Sequence, residues 1–109
     1  MRSINNQVHL IGNVGNELEL KEVGSGKKVM TVSLATNQSY KNKSGEKVEQ
    51  TEWHTVKVWG KQAELLAQYG KKGKRLAISG SLRHRNYEDK EGVKKYVTEV
   101  VADEVMFLS

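Results

Sequence analysis

The chain is 109 residues long, with 18 Lys and Arg against 13 Asp and Glu, a net charge of +5, no cysteine and no proline. That length fits one domain, 1–109, with one real core and no second. The missing cysteines exclude disulfides, thiolate metal sites and thiol nucleophiles. No segment approaches membrane-spanning length and residues 1–7 lack the apolar run of a signal peptide, so a cytoplasmic protein is expected. The basic excess favours a polyanionic partner, with a basic surface kept for solubility as the alternative reading.

Val8, Leu10 and Val14 alternate with His9, Ile11 and Asn13, which predicts a first strand apolar on at least one side. Gly12 inside that pattern marks a bend or bulge of a curling sheet, and Gly15-Asn16 ends the run. Leu18 and Leu20 alternate with Glu19 and Lys21 before a turn at Gly24-Ser25-Gly26. Met30, Val32 and Leu34 alternate with Thr31, Ser33 and Ala35 in a second long strand that continues to Tyr40. Residues 41–50 are polar and read as a mobile hairpin loop.

The next strand, 51–59, carries the strongest signal. Side chains alternate between two faces, so Trp53, Thr55, Lys57 and Trp59 share one face and His54, Val56 and Val58 the other. Val56 and Val58 are core-like. The opposite face, polar in an ordinary half-buried strand, holds both tryptophans of the chain with a lysine between them. At ~3.3 Å per residue the indoles stand roughly 20 Å apart along one ridge, a surface suited to stacked, phosphate-linked bases.

Residues 61–69 are the one helical candidate, with Ala63, Leu66 and Ala67 on one side and Gly70 as the stop. Leu76, Ile78 and Leu82 then alternate with small residues, and beyond them Arg83, Arg85 and Tyr87 share a face with His84 and Asn86 opposite. Residues 89–92 form a turn, 96–101 are β-rich, and Asp103-Glu104 breaks the pattern before 105–108. These elements amount to about five long strands, one short helix after the third, and glycines within strands. They predict an all-β, five-stranded Greek-key barrel of the oligonucleotide/oligosaccharide-binding (OB) type.

Parts for catalysis are missing. His9, His54 and His84 are scattered, no acidic cluster has metal-ligand spacing, and Glu88-Asp89 belongs to a solvated turn. The basic run 71–75 lacks phosphate-loop spacing, and Gly12-Asn13-Val14-Gly15 ends a strand instead of joining two helices. The expectation is a binding protein that is not an enzyme and needs no metal or cofactor. Tyr40 with Lys41 and Lys43 repeats the aromatic–cationic pattern a third time, whereas Tyr69, Tyr96 and Phe107 read as core or barrel-edge residues. From the residues alone, single-stranded DNA, single-stranded RNA and a protein-interaction surface all stay open.

Asn13-Val14-Gly15, Leu34-Ala35-Thr36 leading to Tyr40, Thr51-Glu52-Trp53-His54, Trp59-Gly60-Lys61 with Ala63-Glu64, and 96–101 together resemble the bacterial single-stranded DNA-binding proteins, in order from about Ile4 to Phe107. The resemblance implies an OB barrel that assembles as a homotetramer and binds single-stranded DNA without sequence preference in replication, recombination and repair, in the cytoplasm with the nucleoid. It places the four base-stacking aromatics on Tyr40, Trp53, Trp59 and Tyr87, and a histidine directed at the subunit contact on His54. Lys41, Lys43, Lys57, Lys61, Arg83 and Arg85 are the expected phosphate contacts. Family members usually continue into a flexible linker and an acidic tip that recruits repair and replication enzymes. This sequence stops at Ser109 without either, so it is read as the DNA-binding core alone or as a member that does not recruit partners through such a tail.

Overall fold

Apolar residues at every second position make strands of most of the chain, and the computed structural model describes residues 4–108. The first three residues of the stretch read as lacking a signal peptide, and Ser109 at the end, lie outside the described residues. The order is β1 (Val8–Val14), β2 (Lys21–Val23), β3 (Lys27–Lys41), β4 (Lys47–Trp59), α1 (Lys61–Tyr69), β5 (Arg75–Glu88) and β6 (Lys94–Phe107).

All but β2 close into a five-stranded barrel. β1 pairs antiparallel with β5, β5 with β6, and β4 with β3. β6 meets β4 in parallel at Val56↔Val100 and Lys57↔Val101. The ring closes where β1 leaves β5 and pairs with β3 at Asn13↔Ala35 and Val14↔Leu34. Gly12 makes that transfer possible, because a Cβ there would lie 2.9 Å from the carbonyl carbon of Ala35. The short β2 adds to the outside of β3. The predicted OB-type barrel is therefore the observed one, with its helix after the third barrel strand.

The core sits inside the ring: Met30, Val32 and Leu34 from β3, Val56 and Val58 from β4, Leu76 and Ile78 from β5, and Val14 and Val100. Burying each large aliphatic side chain contributes about 1.5–3 kcal/mol. Ala63 and Leu66 of α1 pack onto the same cluster, and the Gly70 amide closes the helix by donating to the Leu66 carbonyl at 2.8 Å.

Three local expectations change. Residues 41–50 are mostly strand: the β3–β4 ladder continues to Lys41↔Lys47. The turn is only 42–46, where the Asn42 Oδ1 accepts the amides of Ser44 and Glu46 at 2.9 and 3.0 Å. This arm projects beyond the core cluster, so neither face needs apolar residues and the alternation signal vanishes while the backbone ladder persists. Asp103-Glu104 does not interrupt β6 either. Ser79 pairs with Glu104 and Gly80 with Ala102, so Asp103 is the extra residue of a bulge. Leu18 and Leu20 are not in a strand; pairing of β2 starts at Lys21, and Leu18 packs against the core.

Candidate nucleic-acid interface

Register decides which side chains share a surface. On β4, Trp53, Thr55, Lys57 and Trp59 face out of the barrel, level with Ala35, Ser33, Thr31 and Val29 of β3. The parallel pair Lys57↔Val101 puts Val101, Glu99 and Val97 of β6 on that same face. Arg83↔Glu99, Arg85↔Val97 and Tyr87↔Lys95 then carry it onto β5. One continuous face thus brings Trp53, Lys57 and Trp59 beside Arg83, Arg85 and Tyr87, on strands separated along the ring by β6 alone and 24 residues or more apart in sequence.

The aromatic rings on this face are open. Trp53 is 61 % exposed, Trp59 42 % and Tyr87 45 %, while the core beneath them is closed. Trp53 lies over Gly15, where a Cβ would fall 2.8 Å from Cη2 of the indole. Lys57 is half-buried as a residue, and its ammonium donates to Thr31 Oγ1 at 2.7 Å in an exposed bond that fixes its position between the two tryptophans. Between Trp59 and the β5 cations runs a groove of about 560 Å³ lined by Val29, Lys57, Trp59, Arg83, Arg85 and Glu99, among others. Its floor holds the one buried charged residue among those described, Glu99, whose Oε1 accepts from Arg85 Nε at 3.0 Å. The Arg85 guanidinium also lies 5.9 Å from the centre of the Tyr87 ring.

The other expected residues fall at the margins. Tyr40 is exposed, but it pairs with Val48 and is one step out of phase with Trp53, so strand alternation puts Lys41 and not Tyr40 on the tryptophan side of the arm. Lys43 lies in the turn of that arm, and Lys61 opens α1 beside a second cavity of about 560 Å³ that also involves Lys27, Lys28 and Trp59. Lys41, Lys43, Lys61 and Arg83 form no ion pair among the described residues. His54 is half-buried on the opposite side, level with Leu34, its Nε2 2.9 Å from Thr36 Oγ1.

Two aromatics differ from the sequence reading. Tyr69 on α1 and Tyr96 on β6 are largely exposed, whereas Phe107 does pack against the core. Tyr69 lies beyond the buried Ala63–Leu66 side of its helix, and Tyr96 lies on the β5–β6 arm beyond the last core residue, Val100. Gly15, Glu99, Lys27 and Lys28 are neighbours of the site that no local pattern singled out. Among the described residues no group of three His, Asp or Glu side chains could hold a metal ion, and no helix is long and apolar enough to cross a membrane.

Comparison with known proteins adds a family. The profile described as "Single-strand binding protein family" matches residues 5–108. Single-stranded DNA-binding protein 1 of Chlorobaculum tepidum is 44 % identical over 104 residues, covering 94 % of this chain and 64 % of the relative. The single-stranded DNA-binding protein of Xylella fastidiosa is 43 % identical over 103 residues, covering 94 % and 63 %. The chain therefore spans just under two thirds of the length of these relatives. Among solved structures, the Plasmodium falciparum SSB complex with ssDNA superposes with a TM-score of 0.86 at 32 % identity, covering 100 % of this chain and 98 % of that one. A deletion mutant of the single-stranded DNA binding protein from Thermus aquaticus gives a TM-score of 0.83 at 29 % identity, over 95 % of this chain and 50 % of the other.

Proposed function

The chain belongs to the single-strand binding protein family, and on that premise we propose that residues 1–109 form one unit that binds and protects single-stranded DNA without sequence preference, and without catalysis. The observation that carries this reading is the continuous outward face on which Trp53, Lys57 and Trp59 stand beside Arg83, Arg85 and Tyr87. Trp53, Trp59 and Tyr87 stack on bases at roughly 1–3 kcal/mol each, and every base offers a π-face, so little sequence preference follows. Tyr40 takes a further base along the β3–β4 arm. Lys41, Lys43, Lys57, Lys61 and Arg83 neutralise phosphates, while Arg85, bonded to Glu99, braces Tyr87. Duplex DNA hides its base faces and binds far more weakly.

The same reading makes the assembly a homotetramer with His54 at a subunit contact, acting in replication, recombination and repair in the cytoplasm. Relatives named as single-stranded DNA-binding proteins and a neighbour solved with ssDNA support the DNA-binding part of this reading. The experiment is a titration of tryptophan fluorescence with oligo(dT), oligo(dA), matched RNA and duplex DNA. Strong quenching by both DNA single strands at low occupancy, weaker by RNA and weakest by duplex, is expected. No quenching at saturating single strand removes both indoles from the site and overturns the proposal.

A further inference from the structure

Glu99 is an unexpected residue for a phosphate-binding groove. It is only 7 % exposed, it lies directly across from Arg83 on β5, and it lines the same groove as Lys57, Arg83 and Arg85. Its Oε1 is taken by Arg85, and its Oε2 is buried without a hydrogen-bond partner among the described residues. The other two cations are elsewhere: Lys57 donates to Thr31, and Arg83 is exposed and forms no ion pair among the described residues. Arg85 alone reaches the carboxylate.

We propose that Glu99 limits the affinity of the groove by cancelling the charge of Arg85 and barring phosphates from the groove floor. The proposal rests on the single-stranded DNA reading above. A buried carboxylate without a partner is costly, so the pair is kept whether or not nucleic acid is present. The Arg85 side chain remains about half exposed, and its terminal nitrogens can touch a phosphate. The pair has no net charge, however, and counterion release follows the net cations delivered to the phosphates. Arg85 therefore supplies a rigid platform beside Tyr87 and no electrostatic gain. The negative floor turns base faces inward towards Trp59 and leaves the phosphates to Arg83 and the rim lysines.

The test is the salt dependence of affinity for an oligo(dT) of fixed length, measured for the wild type, E99Q, R83A and the double variant R85M/E99M, with melting curves for each. Gln keeps the size of Glu99 and an acceptor for Arg85 Nε but removes the charge. E99Q is expected to steepen the slope of log K against log[salt] by about 0.7, the value for one additional phosphate neutralised on a single strand. Lowering salt from about 200 to about 50 mM then raises the affinity of E99Q about 2.6-fold more than that of the wild type. R85M/E99M removes the pair as a unit and is expected to keep the wild-type slope, whereas R83A flattens it by about 0.7. An E99Q slope equal to or flatter than the wild type overturns the proposal. So does a double variant that flattens as much as R83A, and this arm carries the test if E99Q does not fold. A wild type that fails to bind oligo(dT), or binds it without salt dependence, overturns the binding function itself.

Discussion

Gly15→Ala separates the stacking platform from the stacking residue. Gly15 has no positive φ, so alanine meets no backbone strain there, and the loss of unfolded-state freedom favours the variant by about 0.4–1 kcal/mol. The atoms nearest the added Cβ are those of the Trp53 ring, with Cη2 at 2.8 Å, and then the Ser33 carbonyl oxygen at 3.4 Å, an ordinary contact. The ring must move, and being 61 % exposed it can. In the free protein the ring relaxes to a neighbouring rotamer, and bringing it about 30° off that rotamer to stack on a base costs about 0.5–1.5 kcal/mol on binding alone. That cost predicts an affinity for oligo(dT) about 2- to 13-fold weaker with an unchanged or slightly raised melting temperature. Trp53→Ala, which removes the stack altogether, should cost about 5- to 150-fold. In the Trp53→Ala background Gly15→Ala should do nothing more, because its only harmful contact is gone. Fluorescence titration and a melting curve on the four proteins of this cycle decide the matter. An undiminished affinity in Gly15→Ala, or a second loss added on top of Trp53→Ala, would refute the assignment of Gly15 as the shelf for that ring.

Lys57→Met should reduce the salt slope for oligo(dT) binding by about 0.7 while leaving stability within about 0.5 kcal/mol, since its partner Thr31 is exposed and can bond water instead. Leu34→Ala, at a fully buried site beside the β1–β3 closure, should lower unfolding free energy by about 2–5 kcal/mol in urea denaturation. Tyr96→Ala serves as the control, expected to leave affinity within about twofold because its ring is 75 % exposed and pairs with Asn86, off the stacking face.

How far the fold could be read from the chain depended on whether a strand touches the core. β1, the middle of β3 and the second half of β4 each place an apolar residue at every second position, and α1 shows its buried Ala63 and Leu66 one turn apart. In those segments burial imposes the period, so the period is visible. The arms are different. Residues 36–41 and 47–52 are as regular in backbone as the core strands, yet both of their faces meet water and polar residues are acceptable everywhere. Within them, the polarity of residues 41 and 47–50 reads as a loop, because composition reports the surroundings of a strand and not its hydrogen bonds. The Asp103 bulge hid for a related reason. An extra residue shifts the alternation by one, which looks the same in sequence as a strand that has ended.

The candidate site divides along the same line. Trp53, Lys57 and Trp59 lie within one strand, as do Arg83, Arg85 and Tyr87, and period-two alternation is enough to group each set. That the two sets form one face required the parallel Lys57↔Val101 contact and the Arg83↔Glu99 pairing, which no local pattern encodes. Tyr40 shows that composition does not reveal on which face of the arm a residue stands. Being aromatic and next to lysines placed it with the tryptophans, but thirteen paired positions along the β3–β4 ladder put it out of phase with them. Gly15 and Glu99 were invisible for a deeper reason. Each acts through a neighbour that is remote in sequence, one by leaving room for Trp53 and the other by holding Arg85. Neither a missing side chain nor a buried carboxylate advertises the residue it serves. What strand periodicity identifies is therefore the set of groups that can touch a base or a phosphate, while the residues that set their position and net charge become apparent only when the barrel is closed.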